Sequence, residues 1–182
     1  MKQTIGFLLL AVMFTACSND KTSADTGSAT MDTASTEMNT RGYGFGDDKY
    51  VQIAKQTMHD LASNNVDGFV SVYADNAIYR FSGGDSLSGK QAITDYWKKR
   101  RSDVIDSLSY TGEVWLPINV STPMVAGQLT GNYALGWNMV HAKYKTGKSM
   151  SQRMHMVFHF DNNDKVDRVT QYLDRVPVVA AQ

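Results

Sequence analysis

Val72-Tyr73-Ala74-Asp75-Asn76-Ala77-Ile78-Tyr79-Arg80-Phe81 is where the apolar period of this chain changes. Upstream of it, Phe69, Val70 and Tyr73 recur at helical spacing in a short segment that begins at Asp67. From Asn76 to Ser82 the period falls to two, with Tyr79 and Phe81 on one side and Ile78 and Arg80 on the other. That alternation predicts a half-buried strand. Gly83-Gly84-Asp85 then forms a turn.

Working outward, the segment from Asp47 to Ser63 reads as a helix. Its apolar positions are Tyr50, Ile53, Ala54, Thr57, Met58 and Leu61, with Asp47 as N-cap and Asn64-Asn65 as stop. Downstream, Ser88 and Gln91 have capping-box spacing, and a third helix follows with Ala92, Ile93, Tyr96 and Trp97 inward. It ends in Lys98-Lys99-Arg100-Arg101, a basic last turn that complements the helix dipole. Strands are predicted near 107–118, 124–144, 149–160 and 165–174, with turns at Thr146-Gly147 and Asn162-Asn163-Asp164. Helices first and a long meander after is an α+β arrangement.

The N-terminal region has a different character. Lys2 precedes Ile5–Phe14, ten nearly unbroken apolar residues. As a helix they span roughly 15 Å, about half a bilayer core, which fits a secretory signal rather than a membrane span. The run ends Phe14-Thr15-Ala16-Cys17, which resembles a bacterial lipobox, with Phe14 where Leu is commonest. The resemblance implies a signal peptide over 1–16 and lipid on Cys17. Residues 17–42 read as a tether: from Ser18 to Gly42 there are four Ser and six Thr and no aromatic residue. Its mean reach as a coil is roughly 25–30 Å. Ser18 rather than Asp after the Cys points to the periplasmic face of a Gram-negative outer membrane.

With 18 basic and 18 acidic residues the chain has no net charge and no electrostatic case for a nucleic-acid partner. One cysteine excludes an intramolecular disulfide and a cysteine-cluster metal site. His155 and His159 lie roughly 13 Å apart if extended, too far to share one ion, and no metal is expected there.

The motifs of the central stretch, with Gly89-Lys90-Gln91-Ala92-Ile93, Phe158-His159-Phe160-Asp161-Asn162-Asn163-Asp164-Lys165-Val166 and Gln171-Tyr172-Leu173-Asp174, resemble the SnoaL-like branch of the nuclear transport factor 2-like superfamily. The resemblance implies a cone-shaped fold over about 43–176, with 177–182 as a tail. In it a curved antiparallel or mixed sheet packs against three helices around a pocket. It implies no cofactor, and homodimerisation through the outer sheet face.

Within such a pocket Asp174 is the candidate acid or base, on a strand face shared with Arg168, Thr170 and Tyr172. His141 is its candidate partner, on a face with Tyr133, Leu135, Trp137 and Met139 that is expected to point inward. Tyr79, Trp97, Trp137 and Tyr172 are the candidate ligand-binding aromatics. Relatives that hydrolyse epoxides carry an Arg-x-Asp where this chain has Trp137–His141, without a second carboxylate. Binding of a small, largely apolar molecule is therefore favoured. An acid/base enzyme of the ketosteroid isomerase, dehydratase or polyketide cyclase kind, and a non-catalytic interaction module, are the alternatives.

Overall fold

The computed structural model describes residues 41–182; the expected signal sequence, Cys17 and nearly all of the expected tether lie outside them. Strand β1 (Tyr43–Phe45) leads into α1 (Asp48–Ala62). Asp47 caps that helix by accepting from the Lys49 amide at 2.8 Å. Helix α2 (Val66–Ser71) follows, capped by Asn65, whose side chain accepts from Gly68 N. The chain turns directly into β2 (Tyr73–Phe81), so Tyr73 begins the strand instead of closing the helix. After β3 (Ser86–Ser88) come α3 (Lys90–Lys99), a π-helical turn (Arg100–Val104) and β4 (Ile105–Val120). Then follow β5 (Gly131–Tyr144), β6 (Ser149–Phe160), β7 (Val166–Tyr172) and α4 (Arg175–Ala181).

The strands form one mixed sheet in the order β1-β4-β5-β6-β7-β2-β3. All pairings are antiparallel except β2 with β7, where Tyr79 lies beside Val169 and Phe81 beside Gln171. The parallel pairing places the strand that leaves the helices next to the last strand of the meander. The core forms where α1, α2 and α3 meet the inner sheet face: Ala54, Leu61, Phe69, Ile93, Phe158 and Val169 are fully enclosed. This is the α+β mixed-sheet fold expected.

Three local expectations change. Ser88 does not cap α3, because it pairs with Ile78 in the β2–β3 ladder; Gly89, at φ 89°, starts the helix, and Gln91 donates instead to Asp95 at 2.8 Å. Residues 124–130 lie outside any strand, so β5 begins at Gly131. Residues 175–181, read as the domain end and tail, form a fourth helix. Asp174 caps it, and Pro177 sits in the first turn, where its missing N–H leaves no intrahelical bond unmade. Its last carbonyls are taken by side chains of the β5–β6 hairpin, Thr146 Oγ1 on Ala181 O at 2.7 Å and Lys148 Nζ on Ala180 O at 2.8 Å.

The largest correction concerns the faces of β5 and β7. The inward residues of β5 are Ala134, Gly136, Asn138, Val140, Ala142 and Tyr144, and Tyr133, Leu135, Trp137, Met139 and His141 point outward. In β7, Val169 and Gln171 are inward, whereas Arg168, Thr170 and Tyr172 take the other face. Strand alternation defines two faces without saying which is covered. Here the choice is made across the β4–β5 ladder. Trp115 stands opposite Gly136, and its indole covers the glycine from the core side and packs on Phe158 at 6.1 Å between ring centroids. A small inward row on β5 makes room for large neighbours. A Cβ at position 136 would collide with the Trp115 ring. Gly136→Ala should therefore lower stability by about 1–3 kcal/mol, measured by urea titration, the usual cost of overpacking; an unchanged midpoint would refute this packing.

Candidate functional site

A cavity of about 290 Å³ opens between the inner sheet face, α3 with its π turn, and α4. It lies at the small end of ligand pockets, typically about 300–1,000 Å³. The sheet contributes Leu108, Val140, Met154 and Leu173, the β2–β3 hairpin adds Phe81 and Leu87, and α4 adds Val178 and Val179. Helix α4 thus forms a wall of the cavity, and the sequence read as a tail belongs to the site.

The polar groups in this wall are few. Gln171, inward on β7, accepts from Tyr79 Oη at 3.1 Å, and its Nε2 meets only the thioether of Met154. Trp97 Nε1 is buried without a hydrogen-bond partner. Burial pushes the phenols of Tyr79 and Tyr110 well above their ordinary range, so both stay protonated and able to donate. Burial also raises Tyr96, against the opposing pull of Arg100. Three charged residues line the cavity: Asp85, Arg175 and Arg100. Arg175 Nη1 donates to Asp85 Oδ2 at 2.6 Å, a pair that bridges the hairpin and α4. Arg100 lies over the Tyr96 ring, its guanidinium carbon 5.7 Å from the centroid.

Of the four candidate ligand-binding aromatics, Trp97 lines the cavity. Tyr79 lies behind its wall, fully enclosed, and touches the site through Gln171. Trp137 and Tyr172 stand on the outer sheet face, 41% and 49% exposed, stacked from either side on His155 at 4.5 and 5.7 Å between centroids. Their displacement follows from the reversed faces of β5 and β7.

The structure does not bring Asp174 and His141 together. Asp174 lies beyond the end of β7 and accepts from Val176 N at 2.9 Å as the cap of α4; its backbone N–H and C=O are both held by the Gln152 amide. His141 sits on the outer face, between Thr111 Oγ1 at 2.9 Å and Ser151 Oγ at 2.8 Å on the flanking strands. His155 and His159 also take the outer side, His159 buried between Asp167 Oδ1 at 2.5 Å and the Thr130 carbonyl at 2.9 Å. Among the described residues no cluster of three or more His, Cys, Asp or Glu has metal-site geometry, and no helix is long and apolar enough to cross a membrane.

Sequence reasoning missed Gln171, Tyr110 and Arg100. Gln171 and Tyr110 become visible once the faces of their strands are known. Arg100 is hidden in a basic run that the helix dipole already explains. Arg101 beside it is buried and donates through Nη2 to Ala62 O at 3.2 Å.

Residues 54–169 match the family model of the SnoaL-like domain. Solved structures of similar fold include a candidate polyketide cyclase from Pseudomonas putida KT2440, with 14% identity, TM-score 0.58, and 72% of this chain and 96% of that one covered. An NTF2-like protein from Burkholderia xenovorans LB400 has 15% identity and TM-score 0.57 over 76% and 98% of the two chains. An LEH-like epoxide hydrolase from M. tuberculosis has 10% identity and TM-score 0.53 over 72% and 87%. At these identities the likeness is one of fold. No curated protein matches the chain.

The capping geometry gives Asp174 a structural task. Asp174→Ala should destabilise by about 1 kcal/mol, the typical worth of an N-cap, and Asp174→Asn by less, because Asn also caps. A thermal melt of both variants checks this; equal losses would contradict the capping role.

Proposed function

The chain belongs to the SnoaL-like domain family, and from that premise we propose that it is an envelope lipoprotein whose domain holds a small, largely apolar molecule in the cavity under α4. The observation that carries this reading is the cavity itself, apolar along most of its wall. Proton-transfer chemistry has less support. The carboxylate in the wall, Asp85, is engaged by Arg175, and the two residues first in line for acid/base work sit on α4's cap and on the outer face.

The anchoring half of the proposal rests on Phe14-Thr15-Ala16-Cys17 and on the tether, which would hold the domain clear of the periplasmic face of a Gram-negative outer membrane. Acyl chains suffice for this, since each buried methylene contributes about 0.8 kcal/mol and two chains give stable attachment. The outer sheet face suits a second copy of the chain. Val114, Leu116, Trp137 and Tyr172 are all exposed there, a distribution that favours an interface over bare solvent contact.

Native mass spectrometry of the freshly purified protein should reveal a retained small molecule that is lost from Leu108→Trp, a variant that fills the cavity; retention undiminished in that variant would contradict the assignment. Cys17→Ser should move the protein from the membrane to the soluble fraction, and full membrane retention would refute lipid anchoring. Light scattering should give a dimer for the parent chain and a monomer for Trp137→Glu. A monomeric parent at high concentration removes the dimer.

A further inference from the structure

We propose that the cavity selects an apolar molecule with an anionic head, a monocarboxylate in the simplest case, and that Arg100 receives the head. This deepens the binding reading above and rests on it. The charges in the wall decide the sign. Asp85 and Arg175 neutralise one another at 2.6 Å, bridging the hairpin and α4. The remaining charge is that of Arg100, which has no carboxylate within ion-pair reach among the described residues. The residue is partly buried and has no counter-ion among the described side chains.

Its placement is specific. Arg100 follows Tyr96 by four residues and Trp97 by three, with its N–H on the Tyr96 carbonyl, so helical spacing puts it on their face, and all three line the cavity. The Tyr96 ring supports the guanidinium at 5.7 Å, and the Tyr96 hydroxyl also interacts with it. Its charge is felt by phenols on three elements, lowering Tyr79, Tyr96 and Tyr144 against the effect of their burial. The neutral polar groups of the wall, the hydroxyls of Tyr96, Tyr110 and Tyr144 among them, can donate as well as accept. One unpaired guanidinium beside the apolar side chains of Leu108, Val140 and Met154 matches a carboxylate on a hydrocarbon body. A cationic head would meet Arg100 with like charge, and a bare hydrocarbon would leave every donor unmet.

The test uses the full chain and two matched pairs of probes: decanoate with decanol, and 2-naphthoate with 2-naphthalenemethanol. Affinities are read by calorimetry at neutral pH. At least one carboxylate should bind about tenfold or more tighter than its alcohol, the scale of a charge-assisted hydrogen bond. Arg100→Gln should remove that preference without weakening the alcohol, and Arg100→Lys should restore part of it. Thermal melts of the variants verify that each is folded. Alcohols binding as well as carboxylates, or an Arg100→Gln variant that keeps the preference, would overturn the anionic head while leaving the pocket intact. Binding of none of the four probes would overturn the pocket reading as well.

Discussion

The parallel pairing of β2 with β7 is the constraint on which the rest depends. It joins residues 73–81 to residues 166–171, across the whole of the meander between them. Without it the β2–β3 hairpin, and with it one side of the cavity, would lose its place in the sheet. The Tyr79–Gln171 hydrogen bond spans this junction, so a group that secures the fold also orients a polar residue of the cavity wall. Closing such a long loop carries an entropic cost that grows only slowly with its length, and burial of Phe69, Tyr79 and Val169 around the junction offsets it.

The same economy appears at the mouth of the cavity. Helix α4 has seven residues, too few to be stable alone. It persists because its first turn is capped by Asp174 and tied through Arg175 to Asp85, while its last carbonyls accept from Thr146 and Lys148. These contacts come from the β2–β3 hairpin, the end of β7 and the β5–β6 hairpin, so three parts of the sheet fix one wall of the site. Most are exposed polar bonds, each of modest worth.

Much of the fold was legible in the sequence because local chemistry and tertiary structure agree there. Asp47 caps the helix it was expected to cap, Val72–Phe81 changes period where the helix gives way to the strand, and Gly147 and Asp164 adopt positive φ in the two predicted hairpin turns. The site was less legible for a physical reason. On β5 the larger side chains, Trp137, Met139 and His141, look like a core row, yet they face outward because the core beside Gly136 is filled from β4 by Trp115. That information lies on another strand, so no reading of β5 alone contains it. The inversion on β7 likewise removed Tyr172 and put Gln171 and Leu173 in the wall. Trp97 lies in the cavity wall, and its inward direction was legible because a helix has one buried stripe that its apolar spacing identifies directly. Arg100 continues the Tyr96 and Trp97 face at α-helical spacing, but a basic residue at a helix end reads first as a complement to the dipole.

The chain has three tryptophans, one in the cavity wall, one over Gly136 and one on the outer face. Their indole N–H resonances therefore report separately on the three environments. A nitrogen-edited proton NMR titration of the protein with 2-naphthoate is the most direct test of where ligand binds. The account predicts a large, saturable shift of the Trp97 indole signal with Trp137 unmoved. A saturable shift at Trp137 with Trp97 unchanged would place the binding surface on the outer face of the sheet and contradict the account.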